Sequence, residues 1–392
     1  MKEIGLYIHI PFCKQKCFYC DFPSFACREN LMRDYMKALC REIEDKCKDI
    51  IVRSLFIGGG TPSHLDEESL KLLMNTIKKL NFKEDAEKSI ECNPGTLNEE
   101  KLKIIKEGTI NRLSFGLQTT DDKLLKKIGR IHTFEQFKEN YELARKEGFN
   151  NINVDMMFGL PDQTIDMWIN SLKEVIALGP EHISSYSLII EEGTAFYKMY
   201  DMDKLNLPDE EEERDMYREG KKLLEINGYK QYEISNYARD NKECFHNKLY
   251  WQCEEYLGVG TSASSFIDEK RFSNINDIQE YINKINYGES VVENEYTNSQ
   301  KDDIEEFMFM GLRMNSGISE DEFKRRFGVR VDSLYKNVIN KNENLGLLIR
   351  NGGRIYLSEK GIEVSNMVMS DMILEWREKS SNIEKKWDNL KK

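Results

Sequence analysis

The sequence has no uninterrupted apolar run of roughly eighteen residues, the length a helix needs to cross a bilayer. Its N-terminus also lacks the basic-then-apolar pattern of a secretory signal, so a cytoplasmic location is expected. Positive charge is in deficit, with 57 Lys and Arg against 69 Asp and Glu. The resulting net charge of -12 disfavours general binding to nucleic acid. Cysteine is scarce, and its odd count of 9 argues against a disulfide framework and for reduced thiols. The Gly-rich stretch from Gly258 to Ser265 has no P-loop Lys and does not lie between a clear strand and a clear helix, which excludes nucleoside triphosphate binding there.

What is present is a chain of 392 residues, long enough for one large domain and a smaller one. Its 40% hydrophobic content can fill a core, and 32% charged residues with low mean hydropathy indicate a soluble protein. The scarce cysteines are not scattered. In YIHIPFCKQKCFYCDF, from Tyr7 to Phe22, Cys13, Cys17 and Cys20 form C-x3-C-x2-C directly after an alternating apolar run. Random placement would give that spacing only about 0.005 times in such a chain. Three thiolates on one loop suit a soft metal. A closed zinc site takes four ligands, and no second Cys or His pair stands nearby at zinc-finger spacing. A cubane [4Fe-4S] cluster also takes four thiolates, so three leave one iron open to a ligand from outside the protein.

This loop, with Tyr19 before the last cysteine, resembles the cluster loop of radical S-adenosylmethionine (SAM) enzymes, in which the open iron chelates the amino and carboxylate groups of SAM. The leading YIHIPFC resembles one branch in particular, that of oxygen-independent coproporphyrinogen III dehydrogenase and the HemW-type heme chaperones. The resemblance spans residues 1 to about 370. It implies a [4Fe-4S] cluster on Cys13, Cys17 and Cys20, SAM as second cofactor, and a reductant for the cluster.

From the N-terminus to about residue 200, short β-rich runs alternate with amphipathic helical stretches, the pattern of βα units on a parallel sheet. Strands are expected at Gly5 to Ile10, Ser54 to Ile57, Ser89 to Cys92, Arg112 to Gly116, Asn153 to Phe158 and His182 to Ile190. Helices are expected at Leu31 to Lys48, Glu67 to Leu80, Glu99 to Glu107, Phe134 to Lys146 and Thr164 to Leu178. The expected fold is α/β, a partial, open (β/α)6 TIM-like barrel of the kind the resembled family shares. Functional groups should then cluster at the C-terminal ends of strands.

Each candidate there has a plain structural reading beside the functional one. Gly58-Gly59-Gly60-Thr61-Pro62 can be a tight turn or a close backbone approach to a ligand. Glu91 and Asp155 lie in otherwise apolar strands, where a buried carboxylate needs either a salt bridge or a ligand donor. Gln118 can simply start a helix, and Arg130 can be a solvated charge. The resemblance implies SAM contacts from Tyr7, Tyr19, Gly59, Gly60, Thr61, Glu91, Gln118, Arg130 and Asp155, with Arg130 suited to pairing with the SAM carboxylate. His9 is read either as a brace for the cluster or as filling of the inner face.

Asp209 to Glu213 opens a further helix, its negative charge facing the helix N-terminus. Beyond it, His246, Asn247, Tyr250 and Trp251 form H-N-x-x-Y-W. A histidine among aromatics is often only a packed core residue, while the resemblance implies heme binding at His246. Cys244 and Cys253 are alternative ligands or core thiols. From about Gln300, helices followed by a hairpin through Asn351-Gly352 read as a winged-helix-like module, which the resemblance makes a cover rather than a DNA reader. The expected division is a barrel at 1–205, a connecting region at 206–300, the winged-helix-like module at 301–370 and a charged tail at 371–392.

Within the branch, three features favour the chaperone. Phe22 stands where the dehydrogenase continues to a fourth cysteine, the chain begins a few residues before its first strand, and H-N-x-x-Y-W belongs to the chaperone pattern. The expected function is therefore heme delivery to a heme-accepting protein, with possible peripheral contact with membrane proteins. The alternatives are coproporphyrinogen decarboxylation or another radical SAM reaction. The scaffold is expected to cleave SAM while lacking the dehydrogenase activity.

Overall fold

A computed structural model describes residues 1–374. The tail from residue 375 on, with Trp376 and Trp387, lies outside the described residues. The chain divides into two compact units, one made of Met1–Lys230, Ser235–His246 and Glu255–Tyr296, the other of Gln231–Ile234, Asn247–Glu254 and the chain from Thr297 on.

In the first unit six strands pair in parallel and in chain order: β1 (Lys2–Ile10), β2 (Ile50–Gly59), β3 (Phe82–Cys92), β4 (Arg112–Gln118), β5 (Ile152–Phe158) and β6 (His182–Ser187). The alternating α/β pattern is as expected, and the sheet does not close on itself. The helices that return between strands begin on side-chain caps. Asp66, Asn98, Thr133 and Thr164 each accept a backbone N–H at the start of α2 (Glu67–Ile77), α3 (Glu99–Glu107), α4 (Phe134–Lys146) and α5 (Ile165–Leu178). Their apolar faces bury Leu70, Leu73, Leu102, Ile105, Phe137, Tyr141, Trp168 and Leu172 against the sheet. Asp209 caps the helix Glu210–Ile226 through a capping box.

The sheet has one parallel member that the local pattern does not reveal. Tyr256–Val259 pairs with β1 on the edge opposite β2, with Leu6 facing Leu257. It leads through Gly260 into the antiparallel strands Ser264–Ile267 and Lys270–Asn274. The Gly-rich stretch thus ends a strand and turns a hairpin. Gly260 sits at φ +95°, and a Cβ there would lie 2.6 Å from the Tyr35 hydroxyl and 2.7 Å from the His9 carbonyl oxygen. Tyr35 on α1 (Met32–Lys46) donates to that same carbonyl at 2.8 Å. Buried Glu42, also on α1, accepts from the Gly260 N–H at 2.8 Å, from Asn274 Nδ2 at 2.9 Å and from the Tyr281 hydroxyl at 2.5 Å. The carboxylate that burial would otherwise penalise is saturated by donors. Gly260→Ala is expected to lower the melting temperature measurably, since it adds both a left-handed-region strain of about 1 kcal/mol and a clash. Wild-type melting in that variant would show that the turn is not a tight fit.

In the second unit, α-helices Gln300–Arg313, Glu320–Phe327 and Asp332–Asn344 precede the hairpin Leu348–Asn351 with Arg354–Leu357, and Ile318–Ser319 adds a third short strand. Phe307, Phe323, Phe327 and Tyr335 pack edge to face at its centre.

Candidate functional site

Inside the sheet, burial is broken at a few positions only. Along β1, β4 and β5 every residue past the first two of β1 is buried except Tyr7, Gly116 and Asp155. Phe56 on β2 and Glu91 on β3 are half-buried as well. The register links these positions: Tyr7 lies opposite Phe56, and Gly116 opposite Asp155. They mark an opening toward the C-terminal ends of the strands, where the three cysteines also stand.

The cysteine loop is held by backbone on several sides. Phe12–Cys13 pairs in parallel with Phe25–Ala26, and the Gly60 and Thr61 N–H groups donate to the carbonyls of Ile10 and Phe12 at 2.8 Å each. The Phe18 N–H donates to the Ile128 carbonyl at 3.1 Å. Cys13 is buried, Cys17 and Cys20 are half-buried, and all three are free thiols. Burial pushes the Cys13 thiol up and the Cys20 thiol up to about 11, so a metal is what would favour their thiolates. Among the described residues no three His, Cys, Asp or Glu side chains converge on a point as a single ion requires. A cubane places each thiolate on a different iron, so its ligands stand apart.

The three glycines are explained by what each faces. A Cβ at Gly58 would meet Glu91 Oε2 at 2.9 Å, one at Gly59 the His9 ring at 2.5 Å, and one at Gly60 the Cys13 sulfur at 3.0 Å. His9 fills the inner face and ties β1 to the backbone of the cysteine loop. Its Nε2–H donates to the Pro23 carbonyl at 2.8 Å, in the cysteine loop, leaving Nδ1 to accept from the Tyr7 hydroxyl at 3.0 Å. Burial lowers its pKa to about 4, so the ring is neutral.

Arg130 and the two carboxylates supply the charge. Arg130 donates to Cys17 Sγ at 3.4 Å, to Asn93 Oδ1 at 3.0 Å and to the Gly116 carbonyl. Burial works against its charge, but Tyr19, Cys17 and Asp155 more than offset that, and its pKa moves up. Gln118 stands beside it, since a Cβ on Gly116 would lie 2.6 Å from Arg130 and 3.2 Å from Gln118 Nε2. Gln118 holds φ +76° at a register shift, a strained conformation for a side-chain-bearing residue. Glu91 accepts from the Gly59 N–H at 3.1 Å. Burial, and then the neighbouring Asp155 charge, raise its pKa to about 8. Asp155 is raised too, by burial, while Asn153 donates to it at 2.8 Å and Ser114 at 3.4 Å.

Cys13, Cys17, Cys20, Tyr7, Tyr19, Gly59, Gly60, Thr61, Glu91, Gln118, Arg130 and Asp155 are thus linked through one end of the strands. His246 sits further toward the N-terminal ends of the strands and meets the opening through Phe56, whose ring also stacks on Tyr7. Its Nδ1 hydrogen-bonds Ser54 Oγ at 2.8 Å, its ring stacks on Phe56 at 5.4 Å, and its N–H donates to Glu87 at 3.1 Å. Ser54 and Glu87 precede Gly58 and Glu91 by four residues, about 13 Å along the strands. Burial, then Arg112, lowers the His246 pKa to about 3. Cys244 also reaches Glu87, at 3.4 Å. Trp251, from the same motif, lies under the Arg313 guanidinium at 4.4 Å. The residue-level reading overlooked Arg112, a 2% exposed cation at the start of β4, and took Asn93 only as part of the strand end that follows Glu91. The only available signal for Arg112 was a charge opening an apolar strand.

Residues 7–175 match the radical SAM superfamily, and residues 298–364 match the HemN C-terminal domain. The chain is 39% identical to a heme chaperone HemW of Bacillus subtilis over 92% of its own length and 97% of the relative's. It is 36% identical to that of Lactococcus lactis, covering 95% and 98%. Among solved structures it resembles the coproporphyrinogen III oxidase HemN of Escherichia coli, at TM-score 0.83 and 22% identity, over 95% of this chain and 90% of that one. At that identity the likeness concerns the fold.

Proposed function

Because the chain belongs to the HemW family of the radical SAM superfamily, we propose that it is a heme chaperone that carries a SAM-ligated [4Fe-4S] cluster and hands heme to an acceptor protein. The observation that carries this reading is the match to chaperone relatives over nearly their whole length. Phe22, 61% exposed where the dehydrogenase pattern continues to a fourth cysteine, supports it. No described helix is long and apolar enough to cross a membrane.

The donor chemistry suits both cofactors. Cys13, Cys17 and Cys20 would hold three irons, and Arg130 would stand between the Cys17 sulfur and the SAM carboxylate. Glu91 and Asp155 would accept hydrogen bonds from its amino or ribose hydroxyl groups, with Tyr7, Tyr19, Gly59, Gly60, Thr61 and Gln118 completing the walls. When bound and reduced by one electron from an external reductant, the cluster and SAM supply homolytic cleavage to methionine and a 5'-deoxyadenosyl radical. The chain's own part is to orient both and exclude water.

For heme, His246 is the residue the family motif supplies, and it is also packed. Ligation through Nε2 can keep Nδ1 on Ser54, but it requires a side chain only 1% exposed to be uncovered. Heme titration of His246→Ala, with the melting temperature measured alongside, separates the two roles. The expected result is at least tenfold weaker heme binding; full heme affinity in a folded variant removes the residue from the heme site. An assay for porphyrinogen decarboxylation by the reconstituted protein is expected to give no turnover, and robust turnover would reverse the choice between chaperone and dehydrogenase.

A further inference from the structure

Two of the three cysteines are joined by a continuous run of side-chain hydrogen bonds through residues from other strands. Cys13 Sγ lies 3.5 Å from Thr61 Oγ1, Thr61 Oγ1 accepts from Asn93 Nδ2 at 2.7 Å, Asn93 Oδ1 accepts from Arg130 at 3.0 Å, and Arg130 donates to Cys17 Sγ at 3.4 Å. Asn93 is the midpoint, and its amide is used at both ends, oxygen toward Arg130 and nitrogen toward Thr61. Its position is fixed from behind, because its N–H donates to Ser63 Oγ at 3.0 Å and its carbonyl accepts from the Thr96 hydroxyl at 2.6 Å. Arg130 Nε has no hydrogen-bond partner among the described residues although it is buried. The orientation of the guanidinium therefore rests on Asn93 and the Gly116 carbonyl.

We propose that Asn93 is a positioning residue that aims Arg130 at Cys17 and thereby sets the electron affinity of the metal centre on the cysteine loop. The inference rests on the cluster reading above. Hydrogen bonds to cluster sulfurs are among the features that set an iron-sulfur potential, because a donor stabilises the extra negative charge of the reduced state. Without the Asn93 oxygen the guanidinium loses one of its aiming contacts, the donor to Cys17 weakens, and reduction becomes harder. The same swing removes Arg130 from its place beside an anionic ligand.

The test is a potentiometric titration of anaerobically reconstituted full-length protein, followed by the electron paramagnetic resonance signal of the reduced cluster. Asn93→Ala is expected to keep its iron and to show an about tenfold lower reduced-to-oxidised ratio at the same poise, equal to 59 mV for one electron. Asn140→Ala removes hydrogen bonds to Gly95 and Leu97 in the same loop and none to Asn93, and is expected to keep the wild-type potential. An unchanged potential in Asn93→Ala, or an equal shift in Asn140→Ala, overturns the proposal. Should Asn93→Ala take up no iron, Asn93→Asp, which retains an oxygen facing Arg130, decides. Iron uptake by the Asp variant supports the role, and iron loss there at a wild-type melting temperature overturns it. If the wild-type protein itself binds no iron, the cluster reading fails first, so the two failures are distinguishable.

Discussion

Cys17→Ser, reconstituted anaerobically, is expected to hold less than about one tenth of the wild-type iron and to show no brown absorbance, while melting within a few degrees of the wild-type apoprotein. The thiolate is the iron ligand, and a serine hydroxyl at neutral pH does not replace it. Two thiolates on a loop that already lacks a fourth leave two corners unprotected. The fold itself has little at stake, because Cys17 is half-buried and belongs to no packed core, and substitutions at such positions cost about 0.5 kcal/mol or less. A second effect accompanies the first. Serine removes the sulfur that accepts from Arg130, so SAM binding should weaken together with iron loss. Stoichiometric iron in this variant would remove Cys17 from the cluster.

Glu91→Gln has the second largest expected effect, and it acts in opposite directions on stability and on binding. Burial, and then the Asp155 charge, push the Glu91 carboxyl up to about 8 from an ordinary value of 4.5. A pKa raised on folding contributes stability that is fully present below the unfolded value and is lost as pH rises through the folded one. The wild-type apoprotein should therefore lose stability between about pH 4.5 and 8, and Glu91→Gln should lose less over that window and melt higher at pH 8. A ligand that donates hydrogen bonds to Glu91 reverses the preference, because it stabilises the ionised carboxylate. SAM affinity of the wild type should rise with pH and level off above about 8. The Gln variant should bind about 30-fold more weakly there, the equivalent of about 2 kcal/mol for a charge-assisted hydrogen bond, and its pH dependence should flatten. Calorimetric titration with SAM at pH 6.5 and 8.5 checks this, and equal affinities for the two proteins at pH 8.5 would remove Glu91 from the SAM site.

The fold was legible where periodicity and caps agree. Glu99–Glu107 and Phe134–Lys146 form as expected, each behind a capping side chain that the sequence displays. The expected β3, from Ser89, begins at Phe82, because its first half, with Lys83, Glu84 and Asp85, is an exposed ladder with no apolar signal. The last expected strand stops at Ser187, three residues short of Ile190. Tyr256–Val259 could not be read locally, since four residues beside a glycine become a strand only when a free parallel edge receives them. For the site, strand ends pointed to Glu91, Gln118 and Asp155. Asn93 passed as part of a strand terminus because its importance lies in two partners from separate segments, Thr61 and Arg130.

The clamp on the His9 carbonyl has a consequence for the order in which the protein is made. β1 emerges first, yet one of its edges stays open until Tyr256–Val259 arrives, and Glu42 is not saturated until Tyr281 has arrived. Contacts this distant in sequence form late, because loop closure has to precede them. A nascent chain released at residue 175, the end of the radical SAM match, would carry every cysteine of the loop and lack the brace behind it.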